Sequence, residues 1–195
     1  MSRKHRIWFP GAIYHITARG NRRMNIFMED NDFITYLKIL EDVRQQYPFI
    51  LHSYCLMNNH LHLQLETISH HIKIIMKEIH SRYAVYLNRK LRMVGHVFQG
   101  RYGASLIQEN DYFLEASRYI HRNPLEANMV KCLSDYAWSS YPAYIHLSHR
   151  NPHIETSKVL SFFKEPVHES YKKYVETPIK SKEEKSCPQT SQVLP

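Results

Sequence analysis

Two histidines stand one residue apart in MNNHLHLQLE, residues 57–66. In an extended strand residues i and i+2 point the same way, so His60 and His62 share a face with Gln64 and Glu66, and Leu61, Leu63 and Leu65 take the other. The two histidine Cβ atoms then lie roughly 7 Å apart, close enough for both imidazoles to grip one metal ion. On its own the pattern favours solvent-facing residues of a two-sided sheet; the chemical reading needs a further ligand and a reacting group. Both are available in DYFLEASRYIHRNPLEANMV, residues 111–130. Tyr119 and Asn123 are four residues apart and face one site if the segment is helical. The phenol would then attack while the amide oxygen completes a metal shell. Tyr112 is a competing phenol, two turns earlier on the same helical side. Periodicity alone favours a core aromatic at Tyr119, in a chain with fourteen tyrosines, and leaves the functional reading open.

These groups need elements to hold them. Residues 12–19 (AIYHITAR) alternate Ala12, Tyr14, Ile16 and Ala18 against His15, Thr17 and Arg19, the pattern of a half-buried strand. Residues 49–57 and 60–66 read as second and third strands, and 104–108 as a short fourth. Phe33, Tyr36, Leu37, Leu40 and Val43 recur at helical spacing over 31–46 until Pro48. A longer helix over 69–93 carries Ile72, Ile75, Met76, Ile79, Tyr83 and Tyr86 as its apolar stripe, with Lys73, Lys77 and His80 off it, and ends by Gly95. Asn110 or Asp111 caps a third helix, which Pro124 breaks. Shorter helices follow over 125–130, 155–163 and 168–175. The order predicts an α+β fold, an antiparallel sheet with helices packed on one face, in a single domain over residues 1–178. From there KSKEEKSCPQTSQVLP lacks core residues and predicts a disordered tail over 179–195.

Composition narrows the function. A net charge of +8 favours a polyanionic partner, nucleic acid first. Arg19, Arg22, Arg23, Arg101, Arg118 and Arg122 are candidate phosphate contacts, and Tyr102, Trp138 and Tyr141 candidate platforms for unpaired bases. Glu66 shares the histidine face and is a candidate helper at the metal. His70, His71, His80 and His96 show no ligand spacing. Cys55, Cys132 and Cys187 are widely spaced without a Cys-x-x-Cys pair, which argues against a disulfide framework or zinc ribbon and for a reducing cytoplasm. No apolar run approaches the ~18 residues of a membrane span, and MSRKHRIWFPG lacks a hydrophobic signal core. A two-histidine phosphoesterase would want a second His-x-Thr or His-x-Ser motif, and none is convincing. An RNA-recognition module would show aromatics where His60 and His62 stand.

NNHLHL followed by a tyrosine helix ending in YIHRNP resembles the single-tyrosine HUH transposases, and within them the REP-associated tyrosine transposases. The likeness extends to YHITARGNRR, VFQGRY, RNPLEANMV, DYAWSSYPAY and ETSKVLSFF, and so covers about residues 8–176. The GTWF-type signature of one REP-associated branch is replaced by PGAIYHIT. The resemblance implies a ferredoxin-like HUH nuclease fold, with His60 and His62 as the metal pair around the bulky Leu61, Asn123 as third ligand and Tyr119 as nucleophile. It implies Mg²⁺ or Mn²⁺ as cofactor, although two imidazoles and an amide would also suit Zn²⁺, Co²⁺ or Ni²⁺. The implied reaction cleaves and rejoins single-stranded DNA, often beside a hairpin, through a 5′-phosphotyrosine and a free 3′-hydroxyl, in a monomer or homodimer. The alternative is a domesticated hairpin binder that no longer cleaves; the intact set of His60, His62, Tyr119 and Asn123 argues against it.

Overall fold

The computed structural model describes residues 7–146 and 151–178. Its elements run β1 (Ile13–Arg19), α1 (Asp30–Gln46), β2 (Phe49–Met57), β3 (His60–Thr67), α2 (Ile72–Leu91), β4 (Gly103–Ile107), α3 (Asn110–Glu126), α4 (Tyr141–Ile145), α5 (Ser157–Leu160) and α6 (Val167–Glu176). The expected tail, residues 179–195 with Cys187, lies outside the described residues. Among the described residues no helix is long and apolar enough to cross a membrane.

The four strands form one antiparallel sheet in the order β2-β3-β1-β4. Register places Tyr14 opposite Leu65, Ile16 opposite Leu63 and Ala18 opposite Leu61. Tyr54 and Leu56 meet Leu63 and Leu61 from the other side. All therefore share one face, and α1 and α2 close over it. Phe33, Tyr36, Leu40 and Val43 of α1 join Ile75, Met76, Ile79 and Tyr83 of α2 in the same buried cluster. Each such side chain contributes about 1.5–3 kcal/mol on leaving water. An ion pair between the buried Asp32 and the partly exposed Lys90 ties the two helices, Lys90 Nζ lying 2.5 Å from Asp32 Oδ1.

The α+β class and the antiparallel sheet stand as expected, but the helices take both faces rather than one. α3 lies across the histidine face: Ile120 packs on Cys55 and Met57, and Gln64 Nε2 donates to the Phe113 carbonyl at 2.8 Å. A β-bulge in β2 between Leu51 and Ser53 helps make this possible. It brings His52 to Glu66 at 2.9 Å and Ser53 to Gln64 at 2.9 Å. Gln64, Ser53 and Glu66 are thus bonded by protein neighbours, while His52 Nδ1 is buried without a partner.

α3 also runs through Pro124 to Glu126. The proline sits in the last turn, where it forfeits one ladder hydrogen bond close to the helix end. No separate helix forms over 125–130; the chain turns there, with Asn128 at φ 55°. On the outer side of α3, Phe113 and Ala116 join Tyr141, Tyr144, Val159, Tyr171 and Val175 in a second cluster, so the C-terminal helices sandwich α3 against the sheet.

The aromatics considered for base stacking are used in packing. Trp138 stacks on Phe33 at 4.4 Å, Tyr102 is buried edge-on to His80, and Tyr141 is fully buried with its hydroxyl on Glu176 at 3.0 Å. His80, expected off the stripe, stacks on Phe98 at 4.1 Å.

Candidate active site

β1 ends where β3 begins, so Arg19 pairs with His60 and Thr17 with His62. The turn before His60 is clamped by the chain that follows β1. Gly20 N–H donates to the Asn59 carbonyl at 2.8 Å, and the Ile26 and Phe27 amides donate to the Asn58 carbonyl at 2.7 and 2.9 Å. Any Cβ on Gly20 would collide with the Met24 carbonyl oxygen. Arg22 and Arg23 follow at φ 51° and 61°, both exposed. On the other side Gln99 N–H donates to the Arg19 carbonyl at 2.8 Å, which draws Gln99 and Arg101 alongside the strand end.

The result is a pocket of about 430 Å³ lined by Arg19, His60, His62, Gln99, Arg101 and Tyr119, together with the backbone near Gly103. None of its described lining residues is a carboxylate. Two guanidiniums, two imidazoles, an amide and a phenol without an acid make a wall suited to an anion such as phosphate.

The sequence-predicted residues converge here. The His62 ring centroid lies 5.2 Å from that of His60 and 5.4 Å from that of Tyr119. His62 is only 5% exposed, whereas Tyr119 is 42% exposed. Burial pushes His62 down to about 3, helped by the charges of His15, His60 and Arg19. Burial and Arg19 lower His60 as well, against an upward pull from Asn123. Both imidazoles are therefore neutral at physiological pH and keep a lone pair for a ligand. His60 Nδ1 meets Asn59 Oδ1 at 2.7 Å; the carboxamide oxygen can only accept, so Nδ1 carries the proton and Nε2 is unprotonated. Asn123 Nδ2 donates to the Tyr119 carbonyl at 2.9 Å, and the same side chain also bonds the His60 ring. Tyr112 is also exposed but does not line the pocket.

Two of the candidate arginines are elsewhere. The Arg118 guanidinium bonds the Thr177 carbonyl and lies 4.9 Å from the Tyr174 ring centroid. Arg122, 8% exposed, donates to the Val175 carbonyl at 2.8 Å and to Glu126 at 3.1 Å. Both fasten α6 to α3. Glu66 sits near the far end of β3, held by His52 at 2.9 Å and Lys158 at 2.8 Å, away from the pocket. Sequence reasoning missed His15 and Asn59, which bond the two histidines. The strand alternation already set His15 on the His62 side, and the amides flanking His60 were visible.

Among the described residues no group of three His, Cys, Asp or Glu side chains could hold a metal alone. A cation here would rest on His60, His62, the Asn123 amide and oxygen from water or substrate. Two imidazoles, an amide oxygen and water can hold a divalent ion with open positions, the imidazoles suiting transition metals and the oxygens Mg²⁺ or Mn²⁺.

The family described as Transposase IS200 like matches residues 9–123, a span that opens before β1 and closes on Asn123. The chain belongs to the IS200-like transposases. Among solved structures, that of a REP-associated tyrosine transposase bound to a REP hairpin aligns with a TM-score of 0.65 and 17% identity, over 80% of this chain and 92% of its own. This likeness shows a shared fold. A putative transposase from Deinococcus radiodurans R1 aligns with a TM-score of 0.43 and 20% identity, over 62% of this chain and 97% of its own. No curated protein sequence matches the chain significantly.

Proposed function

We propose that this transposase cuts and rejoins single-stranded DNA beside hairpins, with Tyr119 as nucleophile and His60, His62 and Asn123 holding Mg²⁺ or Mn²⁺. The observation that carries the reading is the meeting of the exposed Tyr119 ring with His62 at a pocket lined by Arg19 and Arg101, with no carboxylate among its described lining residues. When bound, the cation polarises the scissile phosphate and stabilises the charge that develops on it. Arg19 and Arg101 grip phosphate oxygens, and the exposed Arg22 and Arg23, on the turn after Arg19, extend that track along the strand.

Tyr119 Oη attacks phosphorus and releases its proton to solvent at the open side of the pocket. The P–O3′ bond breaks, leaving a 5′-phosphotyrosine ester and a free 3′-hydroxyl. The ester conserves the bond energy, so a second 3′-hydroxyl reverses the step without ATP.

The test is a 3′-labelled hairpin oligonucleotide with a single-stranded flank, incubated with the full chain and then denatured. We expect a label on the peptide containing Tyr119, only with Mg²⁺ or Mn²⁺, and none for Tyr119→Phe, which still binds the hairpin. An adduct that persists in Tyr119→Phe moves the role to another tyrosine. Undiminished nicking by the His60→Ala/His62→Ala double variant sinks the metal assignment. Tight hairpin binding with no nick under any divalent ion would instead identify a binder that no longer cleaves.

A further inference from the structure

His62 has its own support, and it comes from a third histidine. His15 on β1 pairs across the sheet with Gln64, one step diagonally from His62, whose partner is Thr17. The two side chains on that diagonal meet: His15 Nε2 lies 3.1 Å from His62 Nδ1. Their rings stack with centroids 5.3 Å apart, and the His15 ring meets the Tyr119 ring edge-on at 5.6 Å. Among the described residues nothing else hydrogen-bonds the His62 ring. Its neighbours on that face are already engaged, since Gln64 is divided between Ser53 and the Phe113 carbonyl.

We propose that His15 is a positioning residue: it accepts the His62 Nδ1 proton, fixing the tautomer that turns a bare Nε2 into the pocket. A neutral imidazole carries one proton, and whichever nitrogen holds it cannot ligate. With no acceptor at Nδ1, the proton is free to sit on Nε2 and block the metal position. With His15 Nε2 accepting, it stays on Nδ1. His15 must then carry its own proton on Nδ1.

Asn59 does the same for His60 through a carboxamide. The pair is thus presented by two unlike devices, one from the preceding residue and one from the neighbouring strand. Outer partners of this kind are worth 10–100-fold in metal affinity. Because the His15 ring also touches Tyr119, it joins the metal pair and the phenol in one packed unit.

This inference rests on the proposed metal site, and the experiment separates the two. In metal-free full-length protein labelled with ¹⁵N-histidine, at pH 8, the His62 ring shifts report which nitrogen is protonated. Wild type is expected to show the Nδ1–H form, and His15→Phe, which keeps the ring but lacks an acceptor, a shift towards Nε2–H. Mn²⁺ titration followed by electron paramagnetic resonance should show affinity about 10–100-fold weaker in His15→Phe. His15→Gln, whose carboxamide oxygen reaches the same place, should recover to within about threefold. A wild-type His62 protonated on Nε2, or Mn²⁺ affinity unchanged in His15→Phe, overturns the inference. His62→Ala is the control: if it leaves Mn²⁺ affinity intact, the metal site itself fails, while the tautomer measurement remains a direct test of the hydrogen bond.

Discussion

The two sides of α3 differ in kind. Ser117 and His121 are one (i, i+4) pair; Tyr119 and Asn123 are another, displaced by two residues and hence by roughly 200° around the helix. The first pair is buried in a closed network. The Tyr171 hydroxyl lies 2.8 Å from Ser117 Oγ and 2.7 Å from His121 Nδ1, and His121 Nε2 lies 2.7 Å from Ser140 Oγ. Ser140 Oγ in turn donates to the Tyr54 carbonyl of β2 at 3.2 Å. In the second pair Tyr119 lines the pocket, while the Asn123 side chain bonds back to the Tyr119 carbonyl and across to the His60 ring. The buried network and the exposed Tyr119 are thus separated by two residues of sequence. A helix fixed on one side can hold a phenol at a set distance from His62 while leaving its hydroxyl unencumbered, which is the preorganisation that positioning contributes to rate.

Substitutions on the two sides should therefore fail in opposite ways. The largest effect belongs to Tyr119→Phe. Cleavage should fall by at least on the order of 10³-fold, while the free energy of unfolding, read by denaturant titration, stays within about 0.5 kcal/mol of wild type. His121→Ala reverses the pattern. Losing two buried hydrogen bonds and opening a cavity should cost about 3 kcal/mol of stability, with nicking at low temperature within about threefold of wild type. If His121→Ala proves stable but inactive, the division of labour is wrong.

Acid probes buried histidines on both sides, because burial lowers His62 at the pocket as well as His121 and His80. Burial holds His121 and His80 down to about 3, whereas in an unfolded chain histidine titrates near about 6.5. The unfolded state therefore binds more protons between those values. The stabilising effect of keeping them neutral is full above about 6.5 and erodes as pH falls, by up to about 1.4 kcal/mol per pH unit for each. Urea midpoints measured from pH 7 to pH 4 should decline, and less steeply in His121→Ala. The smallest change is expected for Asn123→Ala. Stability should hold within about 0.5 kcal/mol, while the Mn²⁺ concentration needed for half-maximal nicking rises about tenfold.

What the sequence made legible follows the same divide. Leu61, Leu63 and Leu65 could be assigned to the core because strand alternation is local, and all three are fully buried. The sheet, α1 and α2 were readable from period alone. The docking of α3 was not, because it depends on a bulge in β2 that turns His52 and Ser53 together, and no single strand announces a bulge. Arg118 and Arg122 read as free charges since their partners, the carbonyls of Val175 and Thr177, lie more than fifty residues away. At the site, spacing made His60, His62, Tyr119 and Asn123 candidates, and the resemblance of NNHLHL and YIHRNP to the single-tyrosine HUH transposases gave them roles. Neither brought forward His15, whose role comes from a diagonal contact between strands that only register defines.

The closed network has a consequence in time. Its outermost member, Tyr171, belongs to α6, so the helix bearing Tyr119 has a full set of partners only when Val167–Glu176 has been made. At roughly 5–20 residues per second, the ribosome needs several seconds to travel from Tyr119 to that helix. Throughout that interval α3 meets the sheet through contacts such as Ile120 on Cys55 and Met57 and the Gln64 bond to the Phe113 carbonyl, without the support of Tyr171. If Tyr119 acts as proposed, order of synthesis would complete the support of its helix only once the rest of the domain is present. A chain truncated after Glu165 should reproduce that interval in a stable sample: α3 less protected from hydrogen exchange than in the full protein, and no adduct formed.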